Sequence, residues 1–328
     1  MNQTSKKQDF RLRPGDVVTG KWHHKKYVIR KRLGSGAIGS VYLCESDGKP
    51  QALKISDKSS SITMEVNVLK SFQKVQGNRL GPSLLDVDDW IDPRGERYSF
   101  YVMEFLRGKQ LSTFIHAHGE EWLGILMLQL LDDLTELHEA GWVFGDLKTD
   151  NLIVTYPPPR LRWIDVGGTT QIGRSIKEFT EFYDRGYWNF GSRKAEPSYD
   201  LFALAMVMLH FYHPKRFERG SNPQKTLLQK LYQTKPLAPY QPCLAKALKG
   251  EYTTSKQMKD ELASLIMKRS DKGSNYYRIN QRNSNTQPQP RRRSQVNKQT
   301  KAAGHPFLES IGIFIVVILF YLFYLILK

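Results

Sequence analysis

Asp146, Lys148 and Asn151 lie within one short stretch, Gly145-Asp146-Leu147-Lys148-Thr149-Asp150-Asn151, and Asp165 follows in Trp163-Ile164-Asp165-Val166-Gly167. Asp146 is a candidate base and Lys148 a candidate cation for a transferring phosphoryl group. Asn151 and Asp165 are oxygen-bearing candidates for a hard metal ion. Together they suit phosphoryl transfer from a magnesium nucleotide. Taken singly, each also fits an ordinary turn, where Asp and Asn are common. The specific signal is the combined spacing, Asp-x-Lys-x-x-Asn and then Asp-x-Gly fourteen residues after Asn151.

These residues need elements to hold them. Leu152 to Val154 and Leu161 to Ile164 read as two short strands around the turn Pro157 to Pro159. Upstream, Tyr27 to Leu33, Gly39 to Cys44 and Gln51 to Ile55 are β-prone runs parted by glycine-bearing turns, which predicts an antiparallel meander. Ile62, Val66, Leu69 and Phe72 recur near helical spacing over Ser61 to Gln73, and Leu84 to Trp90 and Tyr98 to Phe105 return to strand. Beyond Leu106-Arg107-Gly108 the pattern is helical: Gln110 to His116, Trp122 to Ala140, the apolar run Tyr199 to Tyr212, and three closing pieces ending at Lys268.

A glycine-rich turn, Gly34-Ser35-Gly36-Ala37-Ile38-Gly39-Ser40-Val41, lies between the first two strands. By itself it also fits a plain hairpin. Ala52-Leu53-Lys54 follows on a strand, Glu65 on the first helix, and Met103-Glu104-Phe105-Leu106 at the change from strand to helix.

With its glycine loop, strand lysine, helix glutamate and paired acidic loops, the chain resembles the eukaryotic-like protein kinase superfamily. Within it, the chain is similar to the membrane-anchored Ser/Thr kinases of spore-forming Gram-positive bacteria, over roughly residues 25–268. The resemblance implies an α+β, two-lobed protein-kinase-like fold that uses ATP and Mg²⁺. Gly34, Gly36, Gly39 and Val41 would cover the nucleotide. Lys54, paired with Glu65, would hold its phosphates. The backbone around Glu104 and Leu106 would read the adenine edge, with Met103 before it as a gatekeeper. Asp146 and Lys148 would be catalytic, and Asn151 and Asp165 would bind metal. Asp200 would brace the catalytic loop.

The chain departs from the family pattern in three places. Phe144-Gly145-Asp146 stands where His-Arg-Asp is usual, so no arginine is present to clamp an activation-loop phosphate. Asp165-Val166-Gly167 replaces Asp-Phe-Gly, and Ala195-Glu196-Pro197 replaces Ala-Pro-Glu. Thr169, Thr170, Ser175 and Thr180 lie between the last two as candidate phosphosites.

Composition sets the surroundings. The chain of 328 residues has a net charge of +17, and eleven basic against two acidic side chains fall from residue 268 onward. Two cysteines, Cys44 and Cys243, leave no disulfide framework or zinc spacing. Met1 to Lys26 is polar and holds no signal-peptide run, which predicts a flexible segment over 1–24. The small lobe is expected over 25–106, the large lobe over 107–268, and a disordered basic linker over 269–310. Ile311 to Leu327 is apolar without a charge, the length of a short transmembrane helix, and basic residues on its N-terminal side predict a cytoplasmic catalytic domain.

The expected partners are proteins bearing Ser/Thr hydroxyls, anionic membrane lipids, DNA without base specificity, and a second copy of the chain. Arg291, Arg292, Arg293, Lys298 and Lys301 would meet lipid headgroups or DNA phosphates. Relatives of this type are associated with DNA-stimulated kinase activity. A second basic stretch runs from Lys21 to Arg32. Two other readings stay open: a catalytically inactive kinase-like membrane scaffold that binds nucleic acid, and a small-molecule phosphotransferase.

Overall fold

The computed structural model describes residues 11–36, 39–76 and 81–268. The linker and the apolar segment at 311–327 lie outside the described residues. Among the described residues no helix is long and apolar enough to cross a membrane.

The first half of the chain builds one six-stranded antiparallel sheet. Its strands are β1 (Val17–Thr19), β2 (Lys26–Ser35), β3 (Ser40–Ser46), β4 (Lys49–Ser56), β5 (Leu84–Ile91) and β6 (Arg97–Glu104). Their spatial order is β1-β2-β3-β4-β6-β5. Alternation along β3 points Tyr42 and Cys44 to one side, and Tyr27 and Ile29 of β2 with Leu53, Ile55, Phe100 and Val102 join them in a separate core. Helix α1 (Ser59–Gln76) covers another part of the sheet with Ile62, Val66, Leu69 and Phe72, as its spacing predicts.

The expected flexible segment over 1–24 is corrected for residues 11–24. Leu12 and Val18 are buried in the small-lobe core, and Val17–Thr19 pairs with Lys26–Val28. Residues 20–23 then reach the opposite edge of the sheet, where the Lys21 amide donates to the Asp89 carbonyl at 2.7 Å. The polar composition hid this segment because its few apolar anchors, Leu12 and Val18, show no period, and Trp22 and His23 are held by carboxylates of β5.

The second half is mainly helical. A two-residue strand β7 (Lys109–Gln110) leads into α2 (Leu111–His118) and α3 (Glu121–Glu139). After α3, β8 (Trp142–Val143), β9 (Leu152–Thr155), β10 (Arg160–Trp163) and β11 (Thr170–Gln171) form small sheets that frame the polar loops. The helices α4 (Pro197–Tyr212), α5 (Pro223–Gln233), α6 (Gln241–Lys249) and α7 (255–268) complete this lobe. α4 is buried nearly all round, so its apolar run carries no amphipathic signal. The two cysteines are buried and unpaired with each other.

Asp200, in the first turn of α4, fixes where the loop that carries Asp146 can go. It is fully buried and accepts from the Phe144 amide at 2.7 Å, the Gly145 amide at 2.9 Å and His138 Nε2 at 2.9 Å. Asp200→Ala would orphan two buried N–H groups, at roughly 1–3 kcal/mol each. Chemical denaturation should show a large drop in stability for Asp200→Ala and a smaller one for Asp200→Asn, which keeps one acceptor oxygen.

Candidate active site

A cavity of about 670 Å³ lies between the sheet and the polar loops, lined on one side by Gly34, Gly36, Gly39, Val41 and Lys54. Its other side is lined by Asp146, Lys148, Asn151 and Asp165, and Met103, Glu104 and Leu106 close its back. Glu65 backs the cavity through Lys54. The sequence-predicted residues therefore converge on one place, although they come from both the sheet and the mainly helical part of the chain.

The glycine turn is tight, with the Gly36 amide donating to the Gly39 carbonyl at 2.9 Å. A Cβ on Gly39 would meet the Ile55 carbonyl oxygen at 2.5 Å, so the turn lies flat on β4 only without a side chain there. Ala37 and Ile38 lie outside the described residues. Val41 stands opposite Lys54 in the β3–β4 register.

Lys54 Nζ sits 2.7 Å from Glu65 Oε2 and 3.4 Å from Asp165 Oδ1. Tyr101, opposite Lys54 on β6, donates its hydroxyl to Glu65 Oε2 at 2.6 Å. Burial works against the Lys54 ammonium, but Asp165 and Glu65 outweigh it and hold Lys54 above its ordinary value. Burial also pushes the Glu65 carboxyl up, against the pull of Lys54. The raised lysine keeps its charge at neutral pH, which is the state the short contacts describe.

The Glu104 carboxylate accepts from Ser83 and sits 3.4 Å from Arg162 Nη2. It is therefore engaged by the protein, which leaves the backbone at this position to face a ligand.

On the opposite wall, Lys148 Nζ donates to Asp146 Oδ2 at 2.5 Å. Asn151 Nδ2 donates to the Asp146 carbonyl at 3.0 Å, which leaves the amide oxygen as the free end of that side chain. Asp165 Oδ1 accepts from the Gly167 amide at 3.0 Å. Among the described residues no three His, Cys, Asp or Glu side chains cluster to hold a metal by themselves. One carboxylate and one amide oxygen lining a cavity of this size fit magnesium, which takes few protein ligands and shares its shell with substrate phosphates.

Comparison with known proteins agrees with this geometry. A family model described as the protein kinase domain matches residues 27–282. The serine/threonine-protein kinase YabT of Bacillus subtilis (strain 168) is 51% identical over 252 residues, covering 76% of this chain and 75% of the relative. The chain belongs to the protein kinase family. It is a YabT-like bacterial serine/threonine protein kinase. The kinase is also 26% identical over 172 residues to the serine/threonine-protein kinase PknG of Mycobacterium leprae, but spans only 22% of that protein. In fold it is similar to vaccinia related kinase 3, with a TM-score of 0.56 at 17% identity, covering 79% of this chain and 92% of that one. The kinase domain of Mycobacterium tuberculosis PknI gives a TM-score of 0.53 at 16% identity, covering 78% and 100%. The readings of a small-molecule phosphotransferase and of an inactive scaffold give way to a protein kinase.

The departures from the usual pattern have structural causes in this kinase. Gly145 stands at φ +81°, and a Cβ there would meet the Gly168 carbonyl oxygen at 2.3 Å. A Cβ on Gly168 would in turn meet Asp146 Cβ at 2.6 Å. The loops that carry Asp146 and Asp165 thus touch through two glycines, and an arginine at 145 has no room. Phe144 replaces the usual histidine as a packing group, with its ring centroid 4.9 Å from that of Trp163. Val166 is buried in the same core. Glu196, the displaced member of Ala195-Glu196-Pro197, pairs with buried Arg185 at 2.7 Å. The Arg185 hydrogen bond is also what holds the Glu196 carboxyl below its ordinary value.

Three residues escaped the sequence reading. Arg185 is the partner just described. Glu178 lines the cavity, where burial and the carboxylates of Glu65, Asp165 and Asp146 push it up. Thr180, read only as a candidate phosphosite, donates to Asp146 Oδ1 at 2.9 Å and accepts from Lys148 Nζ at 3.1 Å. Its spacing from Asp165 offered the one available signal, and the compact loop between them obscured it.

Two outcomes follow for the kinase. Thr180→Val should cut peptide phosphorylation by at least about tenfold, while Thr180→Ser keeps most of it, since serine retains the hydroxyl that orients Asp146. Gly145→Arg should lower both activity and thermal stability rather than restore a family contact.

Proposed function

We propose that this kinase transfers the γ-phosphoryl group of magnesium-bound ATP to serine and threonine hydroxyls of proteins, working from the cytoplasmic membrane through its apolar C-terminal segment. The observation that carries the chemical half is the convergence of Lys54, Asp146, Asn151 and Asp165 on one cavity beneath the glycine turn.

Each residue has a distinct task in this reading. Lys54, held by Glu65, which Tyr101 in turn fixes, binds the α- and β-phosphates. Asp146 orients the acceptor hydroxyl and takes its proton as oxygen bonds to the γ-phosphorus. The bond to the β-phosphate oxygen breaks with its electron pair, and ADP leaves. Lys148 balances charge on the transferring group. Thr180 keeps Asp146 and Lys148 in register. Asp165 and Asn151 would hold magnesium, which would supply charge neutralisation at the phosphate oxygens.

The basic stretch from residue 269 to 304 supports the second half of the reading. Arginines 291 to 293 suit a polyanion, and the proposed role is a DNA contact that stimulates the kinase next to an anionic membrane. The apolar run 311–327 supports anchoring.

Two measurements test the two halves. Labelled-phosphate transfer to protein by Asp146→Ala should fall about 10²–10⁴-fold, and Lys54→Ala should also fall sharply. Equal transfer by both variants and the parent would remove the assignment. In the other experiment, DNA is titrated into the kinase with and without residues 269–304. Stimulation that fades with salt and disappears with the deletion is expected. Stimulation by anionic vesicles but not by DNA would assign the stretch to lipid instead.

A further inference from the structure

The N-terminal strap, residues 20–23, makes more contacts than closure of a sheet requires. Besides the Lys21 amide on the Asp89 carbonyl, they reach three carboxylates of β5, those of Asp86, Asp88 and Asp89. The amides of Trp22 and His23 donate to Asp88 at 3.0 and 2.8 Å. His23 Nδ1 lies 2.7 Å from Asp86 Oδ1. Trp22 Nε1 donates to Asp89 Oδ2 at 3.0 Å, an oxygen that also accepts from Arg97 Nη2 at 2.7 Å.

Asp89 continues the connection inward. Its other oxygen accepts from Ser99 Oγ at 2.8 Å, and Ser99 Oγ is 2.9 Å from Ser59 Oγ. Ser99 has one hydroxyl proton and the carboxylate is the stronger acceptor, so Ser59 supplies the proton for the second contact. Ser59 is the first residue of α1, the helix that carries Glu65. A continuous hydrogen-bonded path therefore runs from the strap through β5 and β6 to the N-terminal end of the helix that positions Lys54.

We propose that the strap is a brace for α1: docked on β5, it holds the helix where Glu65 meets Lys54. Trp22, Asp89 and Ser99 are then positioning residues for the phosphotransfer reaction. This rests on the reading of Lys54 and Glu65 as the phosphate-binding pair. The physical basis is a population shift. Loss of the brace lowers the fraction of molecules with α1 in the nucleotide-competent place, and the apparent affinity for ATP falls by that fraction. Saturating ATP pulls the helix back, because it binds the paired arrangement better.

Two variants undo the brace by different means. A Cβ on Gly20 would fall 2.2 Å from Asp88 Oδ2, and Asp88 is buried and committed to two strap amides, so Gly20→Ala lifts the strap off β5. Trp22→Phe keeps a large ring and removes only the donor to Asp89. Steady-state kinetics with the full-length kinase should show KM for ATP raised about fivefold or more in both, with kcat much less affected. Glu65→Gln alone reports on the pair itself. In the Glu65→Gln background the strap variants should add nothing, because the link they act through is already broken.

An unchanged KM for ATP in Trp22→Phe would overturn the proposal. So would an equal further loss when Trp22→Phe is combined with Glu65→Gln, which would place the strap's effect elsewhere. A Glu65→Gln enzyme with parental kinetics would instead overturn the reading of the Lys54–Glu65 pair. A strap that only stabilises the fold would lower the melting temperature and leave KM where it was.

Discussion

The Lys54–Glu65 ion pair is the contact on which the rest of this kinase depends. Both side chains are almost entirely withdrawn from water. Two charges in such a place cost several kcal/mol each in lost hydration, and attraction repays this only with good geometry and further hydrogen bonds. Tyr101 supplies the extra hydrogen bond to Glu65, and Asp165 supplies a second acceptor near Lys54. A pair of this kind is weak evidence for stability but strong evidence for position. It fixes a helix against a sheet, and it lets the sheet lysine reach a carboxylate from the other lobe.

The opposite wall is built by exclusion as much as by attraction. Asp200 captures the amides at Phe144 and Gly145 and leaves the catalytic loop no freedom to move outward. Gly145 and Gly168 then let two backbones approach more closely than any side chain allows. With these constraints, Asp146 is delivered to the cavity by main-chain geometry, and Lys148 and Thr180 need only trim its orientation. The missing arginine fits this picture: the space it would need is filled by the backbone of the metal loop.

The activation segment keeps its anchor by a substitution of partners. Arg185 meets Glu196 and also donates to the Ser192 carbonyl and to Ser198. Asp184 beside it is fully buried and accepts from the Gly186 and Tyr187 amides and the Tyr199 hydroxyl. The compact segment between Gly168 and Arg193 is thus tied to α4 by charged hydrogen bonds, so its unusual sequence does not loosen the wall where a substrate docks.

Much of this was legible in the amino-acid order alone. The strands and helices that carry Lys54, Glu65, Asp146, Asn151 and Asp165 follow from period and turn residues, because those signals are local. The spacing of the two acidic loops identified the chemistry for the same reason: the residues lie on two adjacent short loops. Long-range partners left no such mark. Trp22 meeting Asp89, Thr180 bridging Asp146 and Lys148, Arg185 holding Glu196, and Glu178 turning into the cavity are all choices among many polar groups of similar type. Only the packed chain makes them, because a hydrogen bond between distant residues has no period, and burial decides which of several equal donors is near enough to serve.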